Sequence, residues 1–326
     1  MNCPNIEFLP VPPAGRTGWP WIAGAVSDIS RLPPRPSLTP WPRITIVMPC
    51  LNAERFIEEA LRSVLLQGYP DLELMVFDGG STDGTVGIVK RYAPWLVYWE
   101  SENDRGQSHA INKGLERATG KLFNWFNADD VMCTGALFVL AAMSESAPNA
   151  IGFFGSMLSF DEQGGQTVWK AVPGNKEEIG NWATSCFLPQ PSALFDCRLC
   201  KQIGGVNEKL HYVMDIELMM RLADFGQFVA TPEITAHFRA HAGSKTVQGD
   251  IPGLVELVAA DFNLGLTYVA RQMLQRRMDG YAGLAIDRLS DEKLAKVVDR
   301  WSYASLVRYI FRRIKKNLKL RMGLPH

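Results

Sequence analysis

The run Phe123-Asn124-Trp125-Phe126-Asn127-Ala128-Asp129-Asp130 restricts the fold of this chain more than any other stretch. With Lys121-Leu122 before it, the run reads as a buried strand that stops at two adjacent carboxylates. In an open α/β sheet, ligands lie beyond the carboxyl ends of the strands. Two acids buried there are costly unless a cation or hydrogen-bond donors compensate. Hard divalent cations take oxygen ligands and often bridge to substrate phosphates. The expectation is a divalent ion on Asp129, with that ion holding a diphosphate. Asp130 has a second reading, as the cap of a helix expected over 133–143.

The flanking pattern supplies a sheet for this strand. Residues 44–48 read as a short buried strand stopped by Pro49. Phe56, Ile57, Ala60, Leu61, Val64 and Leu65 then recur at helical spacing, with Asn52 as the expected cap and Gly68 and Pro70 as the stop. A strand over 72–77, a helix over 85–92, a strand over 96–99 and a helix over 107–118 continue the alternation. Repeated strand–helix–strand units predict a parallel sheet with right-handed crossovers. Farther on, 151–160 and 167–172 read as paired strands around Gln163-Gly164-Gly165. A short helix is expected to end within 199–205, another helix to cover 215–223, and short strands to cover 227–230 and 234–238. Helices are expected over 254–278, 291–300 and 301–320.

Three regions follow: a proline-rich arm over 1–42, an α/β domain over 43–248, and a helical region over 249–326. The arm reads either as an irregular segment packed through Trp19, Trp21 and Trp41 or as a disordered leader. Lys and Arg together number 34, as do Asp and Glu, so no net field draws the molecule to nucleic acid, and no nucleic-acid partner is expected. Six cysteines are too few for a disulfide scaffold of this length. Cys197-x-x-Cys200 lacks the second pair or histidines that a zinc site needs. No leader of the secretory kind opens the sequence, and no apolar run approaches the ~20 residues that span a bilayer. A reduced, cytoplasmic chain is expected.

Other residues bear on chemistry. Asp78 follows a strand and opens the turn Gly79-Gly80-Ser81-Thr82-Asp83-Gly84. A carboxylate there can accept from a nucleobase N–H or a ribose hydroxyl, and it can equally close an Asx turn. The turn is not G-x-G-x-x-G, so the dinucleotide fingerprint is absent. Asp215 and Glu217 begin a helix, where capping or solvation is the plain reading. His237, Arg239, His241 and Lys245 place four nitrogen-bearing side chains within nine residues, a set that could neutralise a leaving phosphate.

Taken together, Pro49 to Asn52 after the first strand, Phe77 to Thr85, and Asn127-Ala128-Asp129-Asp130 resemble the family 2 inverting glycosyltransferases of the GT-A fold. Glu102-x-Asp104-x-Gly106-Gln107, Ala110 to Gly114, and Gln190-Pro191-Ser192 are similar to one branch of that family. The resemblance covers about residues 43–245. It implies a Rossmann-like, mostly parallel sheet flanked by helices, and transfer of a sugar from a UDP- or GDP-sugar to a saccharide or lipid-linked saccharide, in polysaccharide or glycolipid biosynthesis. By the same resemblance Asp215 is the general base. Pro49, Asn52, Asp78, Asn127, Ala128 and Arg239 contact the nucleotide sugar. Asp129 and His241 hold Mn²⁺ or Mg²⁺. Asn127 stands where the family has the first aspartate of Asp-x-Asp, and Met214 where it has an acid before the base. A nucleotidyltransferase and a non-catalytic nucleotide-sugar-binding scaffold are the rival readings.

Near the carboxyl end, Val307, Ile310, Phe311, Ile314 and Leu318 recur at helical spacing among seven Lys and Arg residues. Such a helix either lies on anionic lipid, placing the protein at the inner face of the membrane, or packs on the domain with a solvated basic face.

Overall fold

The computed structural model describes residues 6–22, 40–181, 186–248, 250–270 and 272–273. Strand β1 (Ile44–Cys50) is buried along its whole length, as a strand covered on both faces must be. Helix α1 (Ile57–Leu65) leads to β2 (Leu72–Asp78), α2 (Thr85–Tyr92) to β3 (Tyr98–Ser101), and α3 (Gln107–Arg117) to β4 (Leu122–Trp125). These four strands are parallel, in the order β3-β2-β1-β4. The chain builds outward from β1 to β3, then returns to set β4 on the other side of β1. That reversal parts the loops after β1 and β4 and opens a crevice at their carboxyl ends.

The second half is mixed. Its elements are β5 (Val131–Met132), α4 (Ala136–Ser146), β6 (Ala150–Asp161), β7 (Gln166–Trp169), α5 (Lys176–Gly180), β8 (Ala193–Asp196), α6 (Cys197–Gln202), α7 (Met214–Leu222), β9 (Gln227–Ala240), α8 (Lys245–Gln248) and α9 (Asp250–Asn263). The sheet runs on from β4 as β8-β6-β9-β5, with β7 on β6. Strand β8 is antiparallel to both of its neighbours, while β6 and β9 are parallel. Side chains alternate across the sheet. Ile44, Ile46 and Met48 join α1, α2 and α4 on one face, and Val47 joins α3, α6, α7 and α9 on the other. Helix α3 comes so close to β1 that a Cβ at Gly114 would collide with Val47.

Several elements differ from the sequence expectations. Pro49 does not end β1, which continues to Cys50 paired with β2. Pairing with β4 stops at Val47, so the missing N–H of Pro49 leaves no ladder bond unmade on that side. Asn52 is not the cap of α1; Phe56 holds that position. Strand β3 begins at Tyr98, after a 3₁₀ turn at Ala93–Trp95. The short strand β5 precedes α4, so Asp130 caps no helix. One long strand, β9, replaces the two expected over 227–238, and register shifts against β6 absorb Pro232. Strand β8 and helix α5 have too few residues to show a period. Helix α9 ends at Asn263, and Gly265, with φ +80°, breaks the expected 254–278 helix. The helices expected over 291–300 and 301–320 lie outside the described residues. Among the described residues no helix is long and apolar enough to cross a membrane.

Part of the amino-terminal arm packs on α1. Arg62, 1% exposed, donates to the carbonyls of Pro10, Pro20 and Ile22 at 2.7, 3.0 and 2.9 Å. Trp19 Nε1 donates to Met132 O at 2.8 Å. Arg62 and Arg16 both lie over the Trp21 ring, and Trp41 packs edge-on against Phe138. Cys197 and Cys200 are free, buried core thiols; burial pushes Cys197 up to about 11.

Candidate active site

A cavity of about 540 Å³ occupies the crevice between the ends of β1 and β4, within the size range of small-molecule sites. Pro49, Asn52 and Ala53 line it from the loop after β1, and Asn127, Ala128 and Asp129 from the loop after β4. Asp104, Gln107 and Gln190 line it as well, as do His211, Met214 and Asp215 at the start of α7 and His241 and Lys245 after β9.

The β1 end is built by two loops tied together. Asn52 adopts φ 50°, a left-handed conformation that Asn tolerates better than most residues. Its N–H donates to Ser81 Oγ at 2.7 Å, and its Oδ1 accepts from Thr82 N at 2.9 Å. Asp78, 2% exposed, holds the second of these loops: its Oδ2 accepts from Ser81 N at 3.0 Å, Gly80 N at 3.2 Å and Ser101 Oγ at 2.6 Å. Asp78 thus closes the turn from below and is not among the residues lining the cavity.

The β4 end carries the acids. Gln107 Nε2 donates to Asn127 Oδ1 at 2.7 Å, and Asn127 Nδ2 donates to Asp130 Oδ2 at 3.2 Å. Asp130 is 1% exposed and also accepts from Arg239 N at 3.2 Å. Burial, and then the charge of Asp129, push its carboxyl well above the usual range. Asp129 faces the cavity, its Oδ2 3.0 Å from His241 Nε2. The His241 ring lies against Phe56, centroids 4.9 Å apart. Arg239 is committed beneath this pair. Its guanidinium bonds Glu59 Oε2 at 2.9 Å and the Asp129 carbonyl at 3.0 Å, between the Phe56 and Phe160 rings. It does not line the cavity, and His237 packs against Phe160.

Asp215 is the second residue of α7. Burial pushes its carboxyl up to about 6; its own N–H, that of Ile216 and the charge of Lys245 oppose the shift. Burial lowers Lys245 from its ordinary value. Lys245 Nζ lies 3.5 Å from His211 Nδ1 and donates to His211 O at 3.3 Å. Besides Asp104, the cavity therefore holds Asp129 at the β4 tip and the half-buried Asp215, whose carboxyl is pushed up to about 6.

Residues 45–201 match the model of glycosyl transferase family 2. The mannosyltransferase PcManGT from Pyrobaculum calidifontis, in complex with GDP-Man and Mn²⁺, shares the fold with a TM-score of 0.57. That superposition covers 88% of this chain and 90% of the other, at 20% identity. The chain carries a family 2 glycosyltransferase domain of the GT-A fold. Among curated relatives, an uncharacterized glycosyltransferase of Rickettsia prowazekii is 25% identical over 211 residues, which are 63% of this chain and 66% of the relative. A GalNAc(5)-diNAcBac-PP-undecaprenol beta-1,3-glucosyltransferase of Campylobacter jejuni is 28% identical over 121 residues, 36% of this chain and 38% of that protein. The chain thus spans just under two thirds of the first relative's length and well under half of the second's.

In this glycosyltransferase domain no group of three His, Cys, Asp or Glu side chains is assembled for a metal among the described residues. Asp129 and His241 could hold a divalent ion whose other ligands are phosphate oxygens and water, the usual arrangement for Mg²⁺ beside a nucleotide. The fit rests on the partly exposed Asp129 carboxylate, one oxygen of which bonds His241, directed into the cavity.

Sequence reasoning gave no role to Gln107, His211 or Glu256. Gln107 belongs to the motif Glu102-x-Asp104-x-Gly106-Gln107. Gln190, in another, donates to Asn124 Oδ1 at 2.8 Å and Trp125 O at 2.6 Å, and so fixes the end of β4. His211 and Glu256 carry no local signal, since each takes its meaning from a segment far away in sequence.

Proposed function

We propose that this chain is a metal-dependent, inverting hexosyltransferase that uses a nucleotide-diphosphate sugar. The observation that carries the reading is that Asp129 and Asp215 line one cavity at the reversal of the strand order. A diphosphate on Asp129 and His241 would direct its sugar towards the α7 wall, where Asp215 stands. Pro49, Asn52 and the turn built on Asp78 form the nucleoside end, with Asn127 and Ala128 beneath the ribose and diphosphate. Arg239 serves from below by fixing the Asp129 backbone.

The chemistry is a single displacement. The acceptor hydroxyl oxygen bonds to the anomeric carbon as the bond to the diphosphate breaks, and Asp215 takes the hydroxyl proton. A carboxyl titrating near 6 is ionised at neutral pH and still basic enough to assist. One attack on one face inverts configuration. A divalent ion, when bound, supplies Lewis-acid stabilisation of the departing diphosphate. Lys245 adds positive charge on the same side.

The acceptor is proposed to be a saccharide or a lipid-linked saccharide, on the strength of the name of the Campylobacter relative. The basic segment over 301–326 would then hold the protein at an anionic membrane surface on the cytoplasmic side. The deciding experiment incubates the full chain with a panel of UDP- and GDP-sugars, Mn²⁺ and candidate acceptors. Release of nucleoside diphosphate, abolished in Asp215→Asn with nucleotide binding retained, supports the reading. Pyrophosphate release would make the protein a nucleotidyltransferase, and binding without turnover a scaffold.

A further inference from the structure

The segment that delivers Asp215 to the cavity is held by a carboxylate from beyond the family-model match. Glu256 lies on α9 and is 3% exposed. Its Oε2 accepts from Tyr212 N at 2.7 Å, His211 N at 3.0 Å and Val213 N at 3.3 Å, and its Oε1 accepts from His211 N at 3.0 Å. Three successive amides converging on one anion form a nest. Val213 is the cap residue of α7 and contributes no side-chain cap, so Glu256 supplies from another helix the negative charge that a helix start favours. Lys245 grips the same segment from its carbonyl side, through His211 O. His211, Tyr212, Met214, Asp215 and Lys245 all line the cavity.

We infer that Glu256 is a positioning residue for the transferase reaction: through the backbone of residues 211–213 it sets where the Asp215 carboxylate stands over the sugar-bearing end of the cavity. The inference rests on the transferase reading given above. Glu256 touches neither donor nor acceptor in this scheme, so its loss should act on turnover and spare nucleotide binding. A carboxamide replaces it only in part: its single oxygen can accept where Oε2 does, but its NH₂ would face the His211 amide and the negative charge would be gone.

The test compares wild type, Glu256→Gln and Glu256→Asp in the full chain. Glu256→Asp keeps the charge but withdraws it by one methylene. In Glu256→Gln, kcat should fall by about 10²-fold, the scale on which small misplacements of catalytic groups act. The KM for the donor that wild type uses, and the Kd for UDP or GDP, should stay within about threefold, the split that positioning without uniform binding predicts. The acid limb of kcat/KM should move to lower pH, because Asp215 gains water as its segment loosens. Amide exchange should quicken at 211–213 before it does elsewhere. Glu256→Asp should lie between the other two in kcat. Equal kcat in wild type and Glu256→Gln overturns the inference, as does parallel loss of kcat, nucleotide binding and global amide protection, which marks a purely structural role. A wild type that releases nucleoside diphosphate from no donor overturns the transferase reading and the role of Glu256 with it.

Discussion

Asp129 Oδ2 and His241 Nε2 lie 3.0 Å apart, joining the tip of β4 to the loop after β9 across 112 residues of sequence. The contact brings the one partly exposed acid of the β4 tip against an imidazole ring at the cavity edge. An ion entering with a diphosphate would find a carboxylate and an imidazole nitrogen already side by side. In wild type, Mn²⁺ should therefore tighten UDP or GDP binding. In Asp129→Ala that enhancement should vanish, and in His241→Ala it should shrink by about tenfold, in the range for loss of a metal-site partner. Isothermal titration with and without Mn²⁺ measures both, and an undiminished Mn²⁺ effect in Asp129→Ala removes Asp129 from the metal site.

The titration of Asp215 sets a pH profile. A base pushed up to about 6 loses its ionised form as pH falls. kcat/KM should drop tenfold per pH unit below about 6 and level off above it. Lys245 favours the charged form, so Lys245→Gln should move this limb upward. Rate measurements from pH 4.5 to 8.5 on both proteins test it; a Lys245→Gln limb at lower pH than wild type would contradict the assignment.

Asn127 is fitted to its place as an amide. Asn127→Asp would restore an acid where the family pattern has one, but it would keep only the bond accepted from Gln107. The donor to Asp130 would be lost, and a third carboxylate would join two. Stability should fall by about 1–2 kcal/mol at pH 7, the scale of one buried hydrogen bond. The new carboxyl, raised by its neighbours, penalises folding above its unfolded value of about 3.9, so the deficit should fade as pH falls towards 4. Urea unfolding at pH 7 and pH 4.5 reads the difference.

Arg62 ties the amino-terminal arm to α1 through three backbone carbonyls. Arg62→Ala would leave those acceptors without their donor and open a void in a fully buried site. A loss of about 2–4 kcal/mol is expected, from several charge-assisted bonds broken together. Thermal melting should show it, and limited proteolysis should cut first within residues 6–22.

Asp261 is fully buried, and neither carboxylate oxygen has a hydrogen-bond partner among the described residues. Burial pushes it from an ordinary 3.8 up to about 8. A raised acid leaves stability intact below its unfolded value and erodes it as pH rises through the folded value. Asp261→Asn should therefore match wild type near pH 4 and exceed it at pH 8 by on the order of 5 kcal/mol. Denaturant melts across that window check it. A wild type that gains stability relative to Asp261→Asn between pH 4 and pH 8 would show the carboxyl to be charged and paired.

Hydrophobic period and loop chemistry in the sequence were enough to specify the four-stranded parallel half. β1, β2, α2 and α3 lie within two residues of where alternation and helical spacing placed them, and the cap of α1 falls at Phe56, four residues after the expected Asn52, because each of these elements carries its own burial pattern. The same local signals put acids at the end of β4 and a carboxylate near the start of α7. Tertiary packing alone decided the rest. Short β5 and β8 are strands only because a neighbour completes their ladders. Asp78 is held by its own turn and Arg239 by Glu59 and the Asp129 carbonyl, partners that only the fold brings within reach. The pairing of Asp129 with His241, the seating of the arm on Arg62 and the grip of Glu256 on residues 211–213 each join segments far apart in the chain. No local pattern encodes such contacts, since their energy comes from groups that meet only after the sheet has closed.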